Sequence, residues 1–350
     1  MSPRVVAVGD LMVDIVATAA EPLARGSDAA ATVRRHGGGS AANVAAWLGA
    51  AGAAVALVVR VGDDAEGRGA VAELRAGGVD VRAAVDPVLP TGSCVVVVEP
   101  DGERTFLPDR AANAALAPVD LPADLFAAGD HLHLSAYALL GDAQSRAAAL
   151  EALARARSVG MTISVDPASS APLRRVGCEA FLAWVGGATV LLPNADEARA
   201  LTGEAEAARA AAALSRSSGA EVAVTLGAAG ALWSDGIAVV HETGTPVDGD
   251  STGAGDAWAA GWPTYSAHVR SPARAPGRTP EGPARRLGSG ARLRCAHAPL
   301  PARRPRRGLG GRPGRRGVRR ARRPRSVHAR LLPRAARRCA GPLLRRCAAR

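Results

Sequence analysis

The stretch VDGDSTGAGDAW at residues 247–258 is the most informative part of this 350-residue chain. Its small residues Gly253, Ala254 and Gly255 let backbone N–H groups approach an anion closely, and a helix that begins there would point its positive end at the same place. Asp256 follows directly. A carboxylate at that position can accept a proton from a hydroxyl while the amides hold the charge of a transferring phosphoryl group. The alternative interpretation of Asp256 is an ordinary aspartate that caps a helix.

A second stretch, GGGSAANVAAWLG at residues 37–49, lies far upstream. Together the two stretches resemble the signature motifs of the ribokinase/PfkB family of ATP-dependent sugar and nucleoside kinases. The downstream stretch departs from the family pattern Asp-Thr-Thr-Gly-Ala-Gly-Asp-Ala-Phe only at Ser251 and Trp258. The resemblance covers residues 4–262. It implies a ribokinase-like α/β fold with three αβα layers, a mostly parallel sheet and a small β lid, and it favours the catalytic interpretation of Asp256.

The order of apolar runs also predicts an α/β domain. Runs typical of buried strands occur at residues 4–10, 54–61, 131–134, 162–166, 188–192 and 222–226, and helical patterns at residues 43–51, 67–76 and 143–158. More polar, alternating segments at about residues 14–36 and 92–109 interrupt this order, and the second is predicted to be a hairpin that turns at residues 100–102. In the family, segments at these places form the lid over the sugar.

All of the chain's 44 basic residues are arginines, because the sequence contains no lysine. A P-loop nucleotidase, a protein kinase and an enzyme that forms a Schiff base each require a particular lysine. These classes are therefore excluded. The five cysteines lack the CxxC spacing of a zinc or redox site, and the first apolar run is too short and too charged for a signal peptide or a membrane span. We expect a cytoplasmic protein.

The balance of basic and acidic residues changes sharply near residue 262. Residues 1–262 carry 18 arginines and 31 acidic residues, whereas residues 263–350 carry 26 arginines and one acidic residue. The second segment is dominated by Arg, Pro, Ala and Gly without apolar periodicity, which predicts disorder. We favour a reading-frame shift in a GC-rich gene, which leaves residues 1–262 as a kinase domain with an incomplete C-terminal end and makes nucleic acid an unexpected partner. The alternative is a genuine basic tail that binds nucleic acid.

The sequence PNADEA, which contains Asn194 and Glu197, follows an apolar run and opens a helix. It resembles the family's Asn-x-x-Glu motif. The resemblance implies that Asn194 lies near the phosphates of ATP and that Glu197 lies near Mg²⁺. Taken without the family, the same two residues form a helix capping box. The resemblance also implies that the segment from Thr225 to Gly227 lies along the nucleotide, and that Asp250 matches a position that helps to hold a monovalent cation such as K⁺.

Sugar contacts are implied for Asp14, for the backbone of Gly38 and Gly39, and for Asn43, each of which is a short polar group suited to hydroxyls. Met12 stands where ribokinase-like members often have an asparagine that binds the sugar. This difference argues against strict ribokinase specificity.

Two other positions have open alternatives. Arg110 follows the predicted hairpin and can bind a carboxylate or phosphate of the substrate. The alternative is an ion pair with Asp109 or another surface acid. His131 and His133 lie two residues apart on one predicted strand, and we expect them to be structural because no third metal ligand accompanies them.

The sequence therefore predicts ATP-dependent phosphorylation of a sugar hydroxyl, with ATP and Mg²⁺ required and K⁺ as an optional activator. Many family members dimerise through the lid, so a homodimer is expected. One alternative is a nucleoside kinase, which is disfavoured because three Phe and two Tyr offer little for stacking on a base. The other is a non-catalytic or defective homologue, because the C-terminal helices that usually complete the adenine pocket are missing.

Overall fold

The computed structural model describes residues 3–245 and 253–269, with side chains as far as residue 262. The strands are β1 Val5–Val8, β2 Met12–Ala19, β3 Ala31–Gly38, β4 Val55–Gly62, β5 Asp80–Asp86, β6 Gly92–Val98, β7 Arg104–Asp109, β8 His131–Ser135, β9 Thr162–Asp166, β10 Val190–Leu191, β11 Glu221–Thr225, β12 Ala231–Ser234 and β13 Val239–Glu242. The helices are α1 Ser40–Ala50, α2 Ala65–Ala76, α3 Tyr137–Leu140, α4 Ala143–Ser158, α5 Ser170–Val176, α6 Cys178–Val185, α7 Ala195–Thr202, α8 Ala207–Ser218 and α9 Ala254–Val269.

A nine-stranded sheet forms the centre of the described residues, in the order β13-β12-β11-β10-β9-β8-β1-β4-β5. Neighbouring strands from β11 to β5 are parallel, and β12 and β13 extend the other edge as antiparallel strands. Parallel sheets are covered on both faces, so their strands are almost continuously apolar. β1 follows this rule because all of its residues are buried. The predicted mostly parallel sheet is confirmed.

Helices cover both faces of this sheet. Alternate residues of β1 point to opposite faces, and they belong to two different core clusters. Val6 and Val8 pack in the cluster that contains residues of α4 to α8, whereas Val5 and Ala7 pack in the cluster that contains residues of α1, α2 and α9. The three-layer αβα architecture is therefore confirmed.

A separate four-stranded sheet has the order β3-β2-β6-β7 and corresponds to the predicted lid. The hairpin β6–β7 turns where the sequence indicates, and Gly102 takes the positive φ of 87° that this turn requires. The strand order was not predictable from the hairpin alone, because β2 pairs in parallel with β6, which is distant in sequence. A small apolar cluster of Met12, Cys94 and Val96 stabilises one face of this sheet.

Some elements begin or end at different residues from those predicted. α1 begins at Ser40 rather than residue 43, because the turn at Gly39 precedes it directly. α2 begins at Ala65, where the Asp64 carboxylate caps the helix by accepting a hydrogen bond from Gly67 N at 2.7 Å. β10 is limited to two residues because the chain turns at residue 193 into the cap of α7.

The backbone of α9 stays helical through Val269, beyond the domain boundary predicted at residue 262. The helix continues past Pro263, which lacks the N–H of a regular helical hydrogen bond, and residues 264–269 contain no further Gly or Pro. The remainder of the predicted disordered tail, residues 270–350, lies outside the described residues. Within the described part of the chain, no helix is both long and apolar enough to span a membrane.

The polar residues at the carboxyl ends of the parallel strands meet at one edge of the sheet. Asp10 follows β1, Asp166 ends β9, and Asn194 follows β10. Thr225 ends β11, and its backbone N–H donates to the carbonyl of Pro193 at 3.0 Å. The residues that the sequence assigns to the nucleotide, Asn194, Thr225 and Gly227, therefore lie at this edge, whereas those assigned to the sugar come from β2, β3, α1 and the segment after β7.

Candidate active site

The carboxylate of Asp256 accepts two hydrogen bonds from α1. Asp256 is the third residue of α9. Ser40 Oγ donates to its Oδ1 at 2.9 Å, and Asn43 Nδ2 donates to its Oδ2 at 2.8 Å. Ser40 and Asn43 are three residues apart and share one face of their helix. Both donors belong to another helix, so the interpretation of Asp256 as an ordinary helix cap does not describe these contacts.

The environment of Asp256 favours its protonated form. Its pKa is raised from 3.8 to about 7, chiefly by burial and in addition by the carboxylates of Asp166 and Asp14. The hydrogen bonds from Asn43 and Ser40 act in the opposite direction. A carboxyl with a pKa near 7 ionises close to neutral pH, which suits a general base.

The backbone at the start of α9 can accommodate an anion beside Asp256. Gly253 has a φ of 74°, and its carbonyl accepts a hydrogen bond from Ala257 N at 2.9 Å. Gly255 is exposed, and a Cβ there would meet nothing within 4 Å. The first N–H groups of an α-helix lack intrahelical partners and carry its positive dipole end. The anion site predicted at Gly253, Ala254 and Gly255 therefore lies at the start of α9, directly before Asp256. Asp250 lies outside the described residues.

The glycines before α1 permit a close contact with the turn between β1 and β2. A Cβ at Gly38 would overlap the carboxylate of Asp14, and a Cβ at Gly39 would overlap the carbonyl oxygen of Asp10. Gly39 also has a φ of 92°, which L side chains rarely adopt. Asp14 is therefore held against the same glycines that introduce α1. Burial raises the pKa of Asp14, while His36 on the paired strand lowers it.

Arg110 forms an ion pair with the buried Asp10. Its Nε donates to Oδ2 at 2.9 Å and its Nη2 donates to Oδ1 at 2.8 Å. Its Nη1 lies 3.3 Å from Ser145 Oγ and 3.6 Å from Asp142 Oδ2. The main partner of Arg110 is thus the buried Asp10 rather than Asp109, and the exposed Asp142 is the surface acid that pairs with it in addition. Asp10 occupies both Nε and Nη2 of Arg110, so a substrate anion would have to compete with Asp10 for this guanidinium.

Asn194 and Glu197 form the capping box that was the alternative interpretation of these residues. Asn194 Oδ1 accepts from Glu197 N at 2.9 Å, and Glu197 Oε2 accepts from Asn194 N at 2.8 Å. Asn194 Nδ2 also donates to Glu197 Oε1 at 2.7 Å. Glu197 is 3 % exposed, and its pKa is raised to about 8, first by burial and then by Asp166. The capping box therefore holds the buried carboxyl of Glu197 at the edge of the sheet where the parallel strands end.

Asp166 and Tyr137 complete an acidic cluster with Glu197 and Asp256. Burial raises the pKa of Asp166 to about 6. Burial is also the largest cause that raises the pKa of Tyr137 to about 12, followed by the charges of Asp166, Glu197, Asp10 and Asp256. The cluster is short of positive charge. Among the described residues, no group of three His, Cys, Asp or Glu side chains is arranged to hold a metal ion.

The residues assigned to the nucleotide lie on neighbouring strand ends. Thr225 forms an isolated parallel bridge with Asn194. Gly227 follows with a φ of 59°, which lets the chain turn directly after β11. The structure thus brings Asn194, Thr225 and Gly227 together at the edge where Glu197 lies.

The two histidines form part of a hydrogen-bonded network inside the sheet. His131 contacts Thr162 Oγ1 and Ser164 Oγ, both at 2.8 Å, and His133 contacts Ser164 Oγ at 2.9 Å. Burial lowers the pKa of His131 to about 3 and that of His133 to about 4. Neutral, buried and hydrogen-bonded rings agree with the structural role that the sequence favours.

Sequence reasoning missed Ser40, Asp10 and Asp166 as residues of this site. Asp10 and Asp166 could have been found, because each is an acidic residue at the carboxyl end of an apolar strand, where ligands of α/β proteins bind. Ser40 carries no such signal. Its contact with Asp256 joins residues separated by 216 positions, and only the packing of α1 against α9 brings them together.

Comparisons with known proteins identify the family to which this chain belongs. Residues 2–264 match the model of the pfkB family carbohydrate kinase. An ATP-dependent ribose-1-phosphate kinase from Halopiger xanaduensis is 33 % identical over 253 residues, which cover 69 % of this chain and 77 % of that protein. A fructokinase from Escherichia coli is 31 % identical, with 75 % and 83 % covered. The match to a fructokinase from Oryza sativa spans only 51 % of that protein.

Solved structures agree with this comparison. An adenosine kinase from Sinorhizobium meliloti has a TM-score of 0.69 at 25 % identity and covers 77 % of this chain and 89 % of its own. A fructokinase from Vibrio cholerae, solved with fructose, ADP and a calcium ion, has a TM-score of 0.64 at 30 % identity, with 76 % and 85 % covered. The family match extends over most of the chain and includes both glycine-rich motifs and Asp256. This chain belongs to the pfkB family of carbohydrate kinases.

Proposed function

We propose that this protein transfers the γ-phosphoryl group of ATP to a sugar hydroxyl, with Asp256 as the general base. The observation that carries the proposal is the position of one carboxylate, which lies at the start of α9 beside the amides of residues 253–255 and is oriented by the other glycine-rich motif through Asn43. Asp256 accepts the proton of the attacking hydroxyl. The amides stabilise the charge on the phosphoryl group during transfer.

On the sugar side, we assign Asp14, the backbone of Gly38 and Gly39, and Asn43 to the hydroxyl contacts. Asp14 lies against Gly38, Asn43 donates to the base, and the charge of Asp14 acts on the pKa of Asp256, so these groups are close neighbours. Carboxylate and amide groups of this size suit the donor and acceptor pattern of a polyol. Arg110 belongs to the same region as a further substrate-binding residue, provided that an anionic substituent displaces it from Asp10.

On the nucleotide side, we assign Asn194, Thr225 and Gly227 to ATP and Glu197 to Mg²⁺. The donor set fits, because Mg²⁺ commonly takes one or two protein carboxylates and completes its shell with phosphates and water. Asp166 lies close enough to Glu197 for its charge to raise the pKa of that carboxyl, so two carboxylates are available in this region. Mg²⁺ bound there would neutralise charge on the phosphates. Asp250, assigned to K⁺, lies outside the described residues.

We further propose a cytoplasmic homodimer that pairs through the lid. Val33 on β3 is 61 % exposed and Leu107 on β7 is 58 % exposed, and the strand register places both on the same face of the lid sheet. Large apolar side chains on an otherwise exposed sheet commonly mark a protein interface. Sedimentation of the wild type beside a Leu107→Glu variant checks this, since the variant should sediment as a monomer.

A nucleoside kinase is the second candidate, and the likeness to the adenosine kinase structure from S. meliloti favours it. A substrate panel of ribose, fructose, 2-keto-3-deoxygluconate, ribose 1-phosphate and adenosine separates the two. We expect ADP release with at least one of the sugars. Turnover of adenosine alone would show that the protein is a nucleoside kinase and that the proposed sugar kinase activity is wrong.

We also propose that the arginine-rich segment is an out-of-frame product. The family match ends at residue 264, at the point where the composition changes. Reading the DNA in the other frames beyond the codon for Gly261 should recover an alanine-rich, helix-patterned continuation. If no frame does so, the basic segment is genuine and its binding to RNA becomes the experiment to do.

A further inference from the structure

Ser40 has the contact with Asp256 that an acceptor alcohol would need. Its hydroxyl donates to Oδ1 at 2.9 Å, which lies inside the range of about 2.6–3.2 Å expected between a general base and the proton it takes. Asn43 holds the other carboxylate oxygen at 2.8 Å. With a donor on each oxygen, the carboxylate has a fixed rotation about its χ2 angle.

The position of Ser40 is fixed by the backbone rather than by its own side chain. Gly39 lies against the carbonyl of Asp10 with a positive φ, and the same carbonyl accepts a hydrogen bond from Ala42 N at 3.3 Å. α1 and α9 then pack together in one core cluster through small residues such as Ala41 and Ala260. The backbone of Ser40 is therefore held beside the carboxylate, and rotation about χ1 is enough for its hydroxyl to leave Oδ1 or return to it.

We propose that Ser40 is a positioning residue that orients the carboxylate of Asp256 and occupies its Oδ1 while no sugar is bound. The inference rests on the proposed role of Asp256 as the base. A bound sugar has other contacts, at Asp14 and the glycines, that help its hydroxyl to compete with Ser40 for this oxygen. A water molecule has none of these contacts, so Ser40 suppresses the hydrolysis of ATP when the sugar is absent.

The charges around Asp256 make the contribution of Ser40 measurable. Asp14 faces it from β2, Asp166 from the end of β9, and Tyr137 from α3, and these groups are anionic or neutral. Ser40 and Asn43 are the side chains that lower the pKa of Asp256 through hydrogen bonds. Loss of the Ser40 hydroxyl should therefore raise that pKa further.

The test compares Ser40→Ala with Ser40→Thr, which keeps the hydroxyl, and with Ser217→Ala, which removes an exposed helical hydroxyl that only contacts its own helix. The first measurement is a ¹³C NMR titration of the Asp256 carboxyl in the ligand-free full chain, assigned with Asp256→Asn. We expect Ser40→Ala to move the midpoint upward by about one pH unit, as for the loss of one hydrogen bond to a charged group. The other two variants should leave it in place.

The second measurement is the ratio of ATP hydrolysis without sugar to sugar phosphorylation, together with the pH profile of kcat/KM. Ser40→Ala should raise the ratio several-fold and shift the acid limb upward, and Ser40→Thr should restore both. An unchanged titration in Ser40→Ala overturns the positioning role, and an unchanged ratio overturns the competition with water. If the wild type phosphorylates no sugar, the proposed function is wrong. The NMR titration still decides in that case whether Ser40 positions the carboxylate. Thermal melting of each variant separates these effects from loss of folding.

Discussion

Asp256 combines two properties that a surface aspartate cannot have together. Its carboxylate is oriented by donors from another helix, and burial raises its pKa to about 7. Proton transfer by a well-placed group contributes roughly 10²–10⁴-fold to a rate. The same burial that makes the carboxylate a useful base also makes it sensitive to its neighbours Asp14 and Asp166.

The first prediction at this scale is the effect of Asp256→Asn. We expect kcat for sugar phosphorylation to fall by about 10²–10⁴-fold, because the amide keeps the shape but cannot accept the proton. The KM for ATP should change little. Coupled ADP release measures both, with Asp28→Asn, a change at an exposed aspartate of the lid region, as the matched control. Undiminished turnover of Asp256→Asn would disprove the assignment of the base.

The second prediction concerns pH. A base works in its ionised form, and the pKa of Asp256 lies near 7 instead of 3.8. Activity should therefore be present above about pH 7 and fall tenfold for each unit below it. The measurement is kcat/KM at saturating Mg²⁺ across this range. A profile that stays flat down to about pH 5 would mean that no group with a raised pKa controls the reaction.

At the scale of elements, sequence patterns predicted the parts that depend on local spacing. The period of apolar residues located β1, β4, β8 and β9, and the Asn-x-x-Glu spacing predicted the capping box as one of two interpretations. Contacts between distant segments were beyond that reasoning. The pairs Ser40–Asp256 and Asp10–Arg110 depend on which helices and loops pack together, and no periodicity in the sequence specifies that packing.

The capping box of α7 carries the third prediction. Folding raises the pKa of Glu197 from 4.5 to about 8, so the folded chain binds more protons than the unfolded chain between these values. The contribution of Glu197 to the free energy of unfolding is therefore complete below about pH 4.5 and is lost as pH rises toward about 8. Glu197→Gln keeps an acceptor for the cap and removes the ionisation.

Urea unfolding at about pH 5.5 and 7.5 should show a smaller loss of stability for Glu197→Gln than for the wild type, by about 1 kcal/mol or more. The comparison is made without Mg²⁺, and Glu206→Gln is the control because that glutamate caps α8 at the surface. Equal pH dependence in the wild type and in Glu197→Gln would show that Glu197 ionises normally in the folded protein.

For the whole molecule, the uneven charge of the sequence has a consequence of its own. Residues 1–262 have an excess of acidic residues, and residues 263–350 have 26 arginines against one acidic residue. Opposite charges on separate parts of one chain attract within and between molecules, and salt screens this attraction over a Debye length of about 10 Å at 0.1 M. The same segment should attract any polyanion, without regard to sequence.

The last prediction follows from this imbalance. At low ionic strength the full chain should self-associate, and addition of about 0.5 M NaCl should reduce its apparent mass, because screening weakens contacts between the acidic and the basic parts. A chain that ends after Val269 loses all 26 arginines of the tail and should show no such dependence on salt. Static light scattering over a salt series measures both. Association that persists or grows with salt would instead indicate apolar contacts, because salt does not screen them. The exposed apolar side chains of the lid would then be the expected contact surface.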